Sequence, residues 1–344
     1  MLKHLFLLKN PLPAGKLAGE TLPQINLLRG IAALMVCYYH FTRFDVGKGP
    51  VIPRVHPLWK TGQYGYLGVY VFFVISGFVI PFAMQKGAYR LKKAGRFLLK
   101  RSIRLEPPYL ASIAVILSVS GYFSIQWGMP FSVDFKRLLL HIGYLIPFTH
   151  GKYEWYGIIY WTLGIEFQYY LLLTLLFPLL NSDRRIFRYL VLLLFIAGPF
   201  LTDDAAFLPK TAPCFVPGFL LFLVRSKKLN VYELLFFLGA AVSVLAVMSA
   251  MPVAISVLCA FIFIWTVSSN TWIGNRMGAI SYSFYLLHAI VGGYIFGLYD
   301  WSHFGLYQRF FFVFVVFLVC LACTIVFWFI FERPAKKLSA RIRI

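Results

Sequence analysis

The sequence predicts an all-α fold, a polytopic transmembrane helical bundle of about ten spans with both termini cytoplasmic. Three observations carry this. Of the 344 residues, 60% are hydrophobic and 19% aromatic, while only 13% are charged; soluble chains run nearer half apolar and a quarter charged. About ten apolar runs approach the roughly 20 residues that a helix needs to cross a bilayer. They are centred near residues 34, 75, 115, 168, 195, 218, 240, 261, 290 and 320. Finally, the basic residues alternate from loop to loop. With the N-terminus inside, segments 1–29, 86–104, 181–188, 225–228, 270–280 and 332–344 are inner, and they hold most of the 33 Lys and Arg residues. This is the positive-inside pattern, so the net charge of +21 reports topology and excludes a nucleic-acid-binding reading. Hydrophobic segments fill the chain, and residues 1–344 are expected to form one transmembrane domain without an attached soluble one.

At the N-terminus, "LKHLFLLKN" is too short an apolar run for a cleavable leader and no small-residue cleavage site follows it. The first span, "LLRGIAALMVCYYHF", carries Arg29 and His40. Eleven residues apart on a helix, they differ by about 20° of rotation and about 16 Å along the axis, so they share a face. That geometry suits a long ligand with an anionic end near the cytoplasm and a reactive end deep in the membrane. The alternatives are a snorkelling interfacial arginine and a packed histidine. Residues 41–65 read as an irregular outer loop, rich in Gly and Pro.

The segment "KGAYRLKKAGRFLLKRSIR" reads as a helix along the cytoplasmic surface, where headgroup anchoring is a sufficient explanation. Arg101 and Arg104, at its junction with the third span, read equally as residues to grip phosphates or as positive-inside charges. Residues 125–156 form a second outer region, in which "FKRLLLHIGYLIPF" reads as a short interfacial or re-entrant helix, too short to span. Aromatic residues of the two outer regions (Trp59, Tyr64, Trp127, Trp155, Tyr156) read as an interfacial belt or as sugar-stacking surfaces.

The fourth span, "WTLGIEFQYYLLLTLLFPLL", contains Glu166. A carboxylate in mid-span costs several kcal/mol unless paired, protonated or hydrated, so Glu166 marks a cavity or proton path; Gln168, Tyr169 and Tyr170 add polar atoms. In "AISYSFYLLHAIV", Ser281, Tyr285 and His288 follow i, i+4, i+7 spacing and form one stripe. Interhelical hydrogen bonding is the competing account of that stripe. The five cysteines lie in or beside spans and imply no disulfide framework; Cys320 and Cys323 read as small residues at a helix contact. No metal site is expected.

Taken together, these motifs resemble the acyltransferase-3 family of integral-membrane acyltransferases. The family's opening L-R-G-x-A-x-x-x-V-x-x-x-H-F is matched by "LRGIAALMVCYYHF". The family's F-F-V-x-S-G-F is matched within "GVYVFFVISGFVI", and the Arg-rich run before a proline-tyrosine by "KRSIRLEPPY". Further matches are "WTLGIEFQYY", "SYSFYLLH" and "FERPAKK", in order over residues 26 to 338. The resemblance implies transfer of an acyl group, most often acetyl, from acyl-CoA (acetyl-CoA in the usual case) to a hydroxyl of a glycan or lipid-linked sugar, in the inner membrane. It further implies His40 as the catalytic histidine with Arg29 paired to it, Arg101 and Arg104 facing the coenzyme's phosphates, and Glu166 and His288 as the motif carboxylate and late histidine. The sequence departs twice. Tyr70 stands where an aspartate is common, so that role is either absent or relocated, with Asp45 as the candidate, and Glu106 stands where an aromatic residue is common.

The chemistry is consistent with this. A thioester is already activated, and a neutral imidazole such as His40 can accept the acceptor's proton, with Glu166 placed to orient it if the two meet. Two readings from other classes remain open at this stage. One is a proton-coupled transporter using Glu166, His40 and His288, although no repeat is visible. The other is a non-catalytic membrane scaffold.

Overall fold

The computed structural model describes residues 22–45, 49–268 and 271–342. The N-terminal apolar run at residues 2–10 lies outside them. Among the described residues the regular structure is helical, apart from an isolated bridge between Asp45 and Pro50. Helices are the expected solution, because a spanning segment in lipid must satisfy every backbone polar group internally. In chain order the main helices are α1 Pro23–Thr42, α2 Gly68–Lys86, α3 Ala94–Gln126, α4 Phe135–Ile142, α5 Trp161–Leu180 and α6 Arg185–Ala197. They continue with α7 Val216–Arg225, α8 Val231–Met248, α9 Met251–Thr266, α10 Trp272–Gly297, α11 Leu306–Phe327 and α12 Arg333–Ala340.

Each of the ten apolar runs is centred on a helix. Seven stretches are long and apolar enough to cross a membrane: Pro57–Lys86, Leu91–Gln126, Trp161–Leu180, Leu208–Arg225, Val231–Met248, Trp272–Gly297 and Leu306–Ala340. The other three runs fall short for physical reasons. Helices α6 and α9 have 13 and 16 residues, and α1 is diluted by Gln24, Asn26, Arg29 and His40.

The contacts divide the chain into two compact units. One holds the chain up to Val36, Tyr66–Leu91 and Leu173–Ser281; the other holds Cys37–Gly65, Lys92–Leu172 and the chain from Tyr282 onward. In the first unit the closest helix pair is α2 with α7. A Cβ on Gly77 would lie 2.2 Å from the Phe215 carbonyl oxygen, and one on Gly218 would lie 2.3 Å from that of Val74. In lipid, helix association depends on van der Waals packing, which small residues permit at close range. Beside this crossing Phe73 stacks on Phe215, with centroids 4.9 Å apart. The Ser-Gly-Phe segment of the second motif is thus a packing device.

In the second unit, the basic segment read as a separate surface helix is different. After a single 3-10 turn at Leu91–Lys93, α3 runs unbroken for 33 residues through Pro107 and Pro108. At about 1.5 Å per residue it is some 50 Å long, longer than the roughly 30 Å of hydrocarbon. Its first turns are held by the C-terminal segment. Ser339 donates to the Lys100 carbonyl and Lys100 Nζ donates to the Ile342 carbonyl. The prolines remove the helix donors for the carbonyls of residues 103 and 104, and Tyr282 donates to the adjacent Leu105 carbonyl at 3.0 Å.

The short interfacial helix expected within 125–156 is α4, capped by Asp134, which accepts from the Arg137 N–H. It carries a fully buried histidine. His141 Nε2 accepts from the Tyr156 N–H at 3.1 Å, so the ring proton sits on Nδ1 and is donated to the Tyr109 hydroxyl at 2.8 Å. Tyr156 stacks on this ring at 4.7 Å and Trp155 meets it edge-on at 5.2 Å. Burial first, and Arg137 second, push the His141 pKa down from 6.5 to about 4.

Candidate functional site

The second unit gathers the polar residues that lipid would not ask for. His40 lies half-buried in the last turn of α1. Its neighbours hold it against α10: Phe41 meets Phe296 edge-on at 5.1 Å, and a Cβ on Gly292 would lie 2.5 Å from Phe41 Cε1. Gly292 is one helical turn beyond His288, and the close approach it permits brings the two imidazoles together. The His40 and His288 ring centroids are 5.2 Å apart, tilted by 50°.

His288 is fully buried. Its Nδ1 lies 3.1 Å from the Phe284 carbonyl; a carbonyl can only accept, so Nδ1 carries the proton. Nε2 is buried and meets no hydrogen-bond partner among the described residues, which leaves a free basic lone pair on a ring facing His40's. The stripe continues with Tyr285, whose ring centroid is 5.8 Å from that of His288. The Tyr285 hydroxyl bonds the Thr162 hydroxyl at 2.7 Å, joining the late Ser-Tyr motif to the Trp-Thr-Leu motif. Ser281, by contrast, is occupied within its own helix, donating to the Gly278 carbonyl at 2.9 Å.

On α5, Thr162, Glu166 and Tyr170 follow i, i+4, i+8 spacing and share one face. Tyr170 donates a short hydrogen bond to Glu166 Oε1. A narrow cleft of about 10 Å³ lies alongside, lined by Arg101, Glu106, Tyr144, Leu163, Glu166 and Tyr170. Arg101 is 8% exposed and lies against the rings of Phe97 and Tyr170, at 5.3 and 5.7 Å. Its Nε meets no hydrogen-bond partner among the described residues. A buried guanidinium with unfilled donor capacity is a demand for an anion.

A second cavity, of about 260 Å³, is lined by Phe44, Ile116, Tyr156, Ile159, Ile290 and Tyr294, with Ala289 and Gly293 also on its wall. Two of these residues, Ala289 and Ile290, directly follow His288 in the chain. No group of three or more His, Cys, Asp or Glu side chains among the described residues is arranged to hold a metal ion.

Residues 22–331, nearly the whole chain, match the acyltransferase domain that defines the acyltransferase-3 family. The chain belongs to this family. Among its relatives are nodulation protein 10 of Rhizobium leguminosarum bv. viciae, 28% identical over 178 residues, and O-acetyltransferase OatA of Staphylococcus aureus, 28% identical over 167 residues. Each alignment covers 46% of this chain, but 45% of nodulation protein 10 and 25% of OatA. Protein 2 in the picA locus of Rhizobium radiobacter is 31% identical over 121 residues, covering 34% of this chain and 55% of that protein. The chain therefore spans half or less of most of these relatives' length. No solved structure matches it.

Within this family member the motif residues fall into two places. His40, His288 and Tyr285 form one cluster with Thr162; Arg101 and Glu166 line the narrow cleft, with Tyr169 buried behind them, its ring 5.9 Å from that of Tyr170. Arg104 is half-buried on the next turn of α3. Arg29 is half-buried on α1, in the part of that helix belonging to the first unit. Asp45 pairs with Arg54 at 2.6 Å, and Tyr70, in the first unit, packs edge-on against Tyr66 and Phe73. Tyr156 is covered by Arg137, 4.1 Å above its ring, and Trp59 by Arg43 at 4.1 Å, which makes them poor platforms for a sugar.

Sequence reasoning did not assign roles to Thr162 or Glu332. The Thr162 signal was the i, i+4 spacing to Glu166. Glu332, from the C-terminal Glu-Arg-Pro, is 7% exposed and closes a π-helical turn, Trp328–Glu332. Its Oε2 accepts from both the backbone N–H and the hydroxyl of Ser283, at 2.9 and 2.5 Å. It thereby grips α10 five residues before His288.

Proposed function

We propose that the protein is an inner-membrane O-acyltransferase that moves an acyl group, acetyl foremost, from a cytoplasmic acyl-CoA to a hydroxyl of a glycan or lipid-linked sugar. The observation that carries this reading is the His40–His288 pair, 5.2 Å apart, in a chain of the acyltransferase-3 family.

In this mechanism His40 takes the proton from the acceptor hydroxyl as its oxygen attacks the thioester carbonyl. The new C–O bond forms, the C–S bond breaks, and the coenzyme leaves as a thiolate that takes up a proton. The neutral His288, with its Nε2 lone pair directed away from the Phe284 carbonyl, receives or relays the proton acquired by His40. The Tyr285–Thr162 hydroxyl pair fixes the stripe that carries it. Arg101, assisted by Arg104, takes the coenzyme's phosphates as charge-assisted partners; the narrow cleft must open for this, with Glu166 and Tyr170 moving together. The cavity lined by Ala289 and Ile290 receives the acceptor. Holding thioester and hydroxyl together in a water-poor cavity supplies much of the remaining rate.

The test compares surface glycans and lipids, by mass spectrometry, from cells lacking the protein and from cells complemented with wild type or His40→Ala at matched membrane abundance. A species one acyl group heavier, restored by wild type alone, is the expected result. Restoration by His40→Ala would remove the histidine from the mechanism, and an unchanged acylation profile on deletion would sink the acyltransferase reading.

A further inference from the structure

In the first unit, away from the residues discussed so far, a cleft of about 290 Å³ opens where α6 and α8 begin. It is lined by Asp183, Arg185, Arg188, Lys227, Lys228 and Glu233. Both acids already have partners. Asp183 pairs with Lys228 at 3.0 Å. Glu233 closes the capping box of α8 with the Asn230 N–H, accepts from the Tyr189 hydroxyl, and lies 3.6 Å from Arg185. This leaves Arg188 and Lys227, neither within ion-pair distance of a carboxylate among the described residues.

Arg188 is 3% exposed. One terminal nitrogen donates to the Ser182 carbonyl at 2.6 Å, while its Nε meets no hydrogen-bond partner among the described residues. A buried, half-satisfied guanidinium is costly unless an anion completes it. Lys227 adds a second cost, standing in the left-handed region at φ 57°, where residues other than Gly, Asn and Asp are disfavoured. The chain thus retains a cation at a position that would suit glycine better.

The surfaces leading away from the cleft are apolar and exposed. Along α6 run Ile186, Leu190 and Leu193, and along α8 Tyr232, Leu235 and Phe236. A ligand that uses both features has a phosphate head and hydrocarbon chains. We propose that this cleft holds the phosphate of an anionic membrane phospholipid, with Arg188 and Lys227 as its principal ligands and the α6 and α8 faces supporting its acyl chains. A soluble phosphate shares the head chemistry but gains nothing from those faces.

Native mass spectrometry of the full chain released from detergent tests this, with phosphatidylglycerol or phosphatidylcholine of matched acyl chains added, with and without millimolar inorganic phosphate. Phosphatidylglycerol should be retained over phosphatidylcholine, and inorganic phosphate should not displace it. Arg188→Gln and Lys227→Gly should each weaken retention about fivefold, the worth of one cation near a phosphate surface, while Lys136→Gln on α4 should not. Lys227→Gly removes the charge while relieving the backbone, so it reports on binding even if Arg188→Gln fails to fold. Equal retention of the two lipids, undiminished retention in Lys227→Gly, or displacement by inorganic phosphate would each overturn the proposal.

Discussion

The imidazoles of His40 and His288 face each other at 5.2 Å, although 247 positions separate them along the chain (288 − 40 − 1). The pair predicts how substitutions combine. His40→Ala should lower acyl transfer by about 10²- to 10⁴-fold, the usual worth of a general base. His288→Gln should cost less alone and add little to His40→Ala, because groups that act as a unit are non-additive. Initial rates in membranes from the two single variants and the double variant make the check.

Gly292 sets that distance. Gly292→Ala places a methyl 2.5 Å from Phe41 Cε1, and overpacking of this kind costs about 1–3 kcal/mol. Activity should fall at unchanged membrane abundance, and Phe41→Leu should restore part of it in the double variant. An equal activity of Gly292→Ala and wild type would show that the α1–α10 approach does not govern the reaction.

Arg101 should reveal itself through the donor. Arg101→Lys keeps the charge but loses the planar fork, so the expected change is a KM for acyl-CoA raised about tenfold, with kcat held nearer to wild type. Arg101→Gln should raise it further, since charged hydrogen bonds are worth about 1.5–3 kcal/mol. Steady-state kinetics over a range of donor concentration separate KM from kcat.

Helix α4 should respond to acid. His141 is neutral in the folded chain because burial and Arg137 hold its pKa near 4, against 6.5 when unfolded. Between those values the unfolded chain binds more protons, so stability rises with pH across that window. Local stability should be full above about pH 6.5 and decline toward about pH 4, and His141→Gln should flatten the decline. Hydrogen exchange of the Phe135–Ile142 amides at several pH values measures it.

The helices were legible because lipid imposes one rule on every segment, and all ten apolar runs are centred on helices. Their lengths were less so. Nothing in "KRSIRLEPPY" announces that α3 continues through two prolines, because the Tyr282 hydroxyl that meets the Leu105 carbonyl comes from a distant part of the chain. The site was legible residue by residue: His40, Glu166 and His288 stood out as polar groups in apolar surroundings. Their grouping was not. Helical periodicity gives the face of a side chain but not the partner of that face. The pairing of His40 with His288, of Thr162 with Tyr285 and of Glu332 with Ser283 had to come from the fold.

The π-helical turn at Trp328–Glu332 makes the C-terminal motif sensitive to length rather than to composition. A π turn is an α-helix carrying one surplus residue. Deleting Ile330 would remove that surplus and leave the flanking segments nearly in phase, whereas deleting Val326 from the α-helical turn before it would rotate everything beyond by about 100°. In that second case Glu332 would swing off Ser283, and Ser339 off the Lys100 carbonyl, with every side chain but one still present. Exposed Phe329 and Ile330 should therefore accept other apolar residues freely, while a single-codon deletion at Val326 should abolish activity. The register of this turn, not the identity of its residues, is what ties the end of the chain to the histidines.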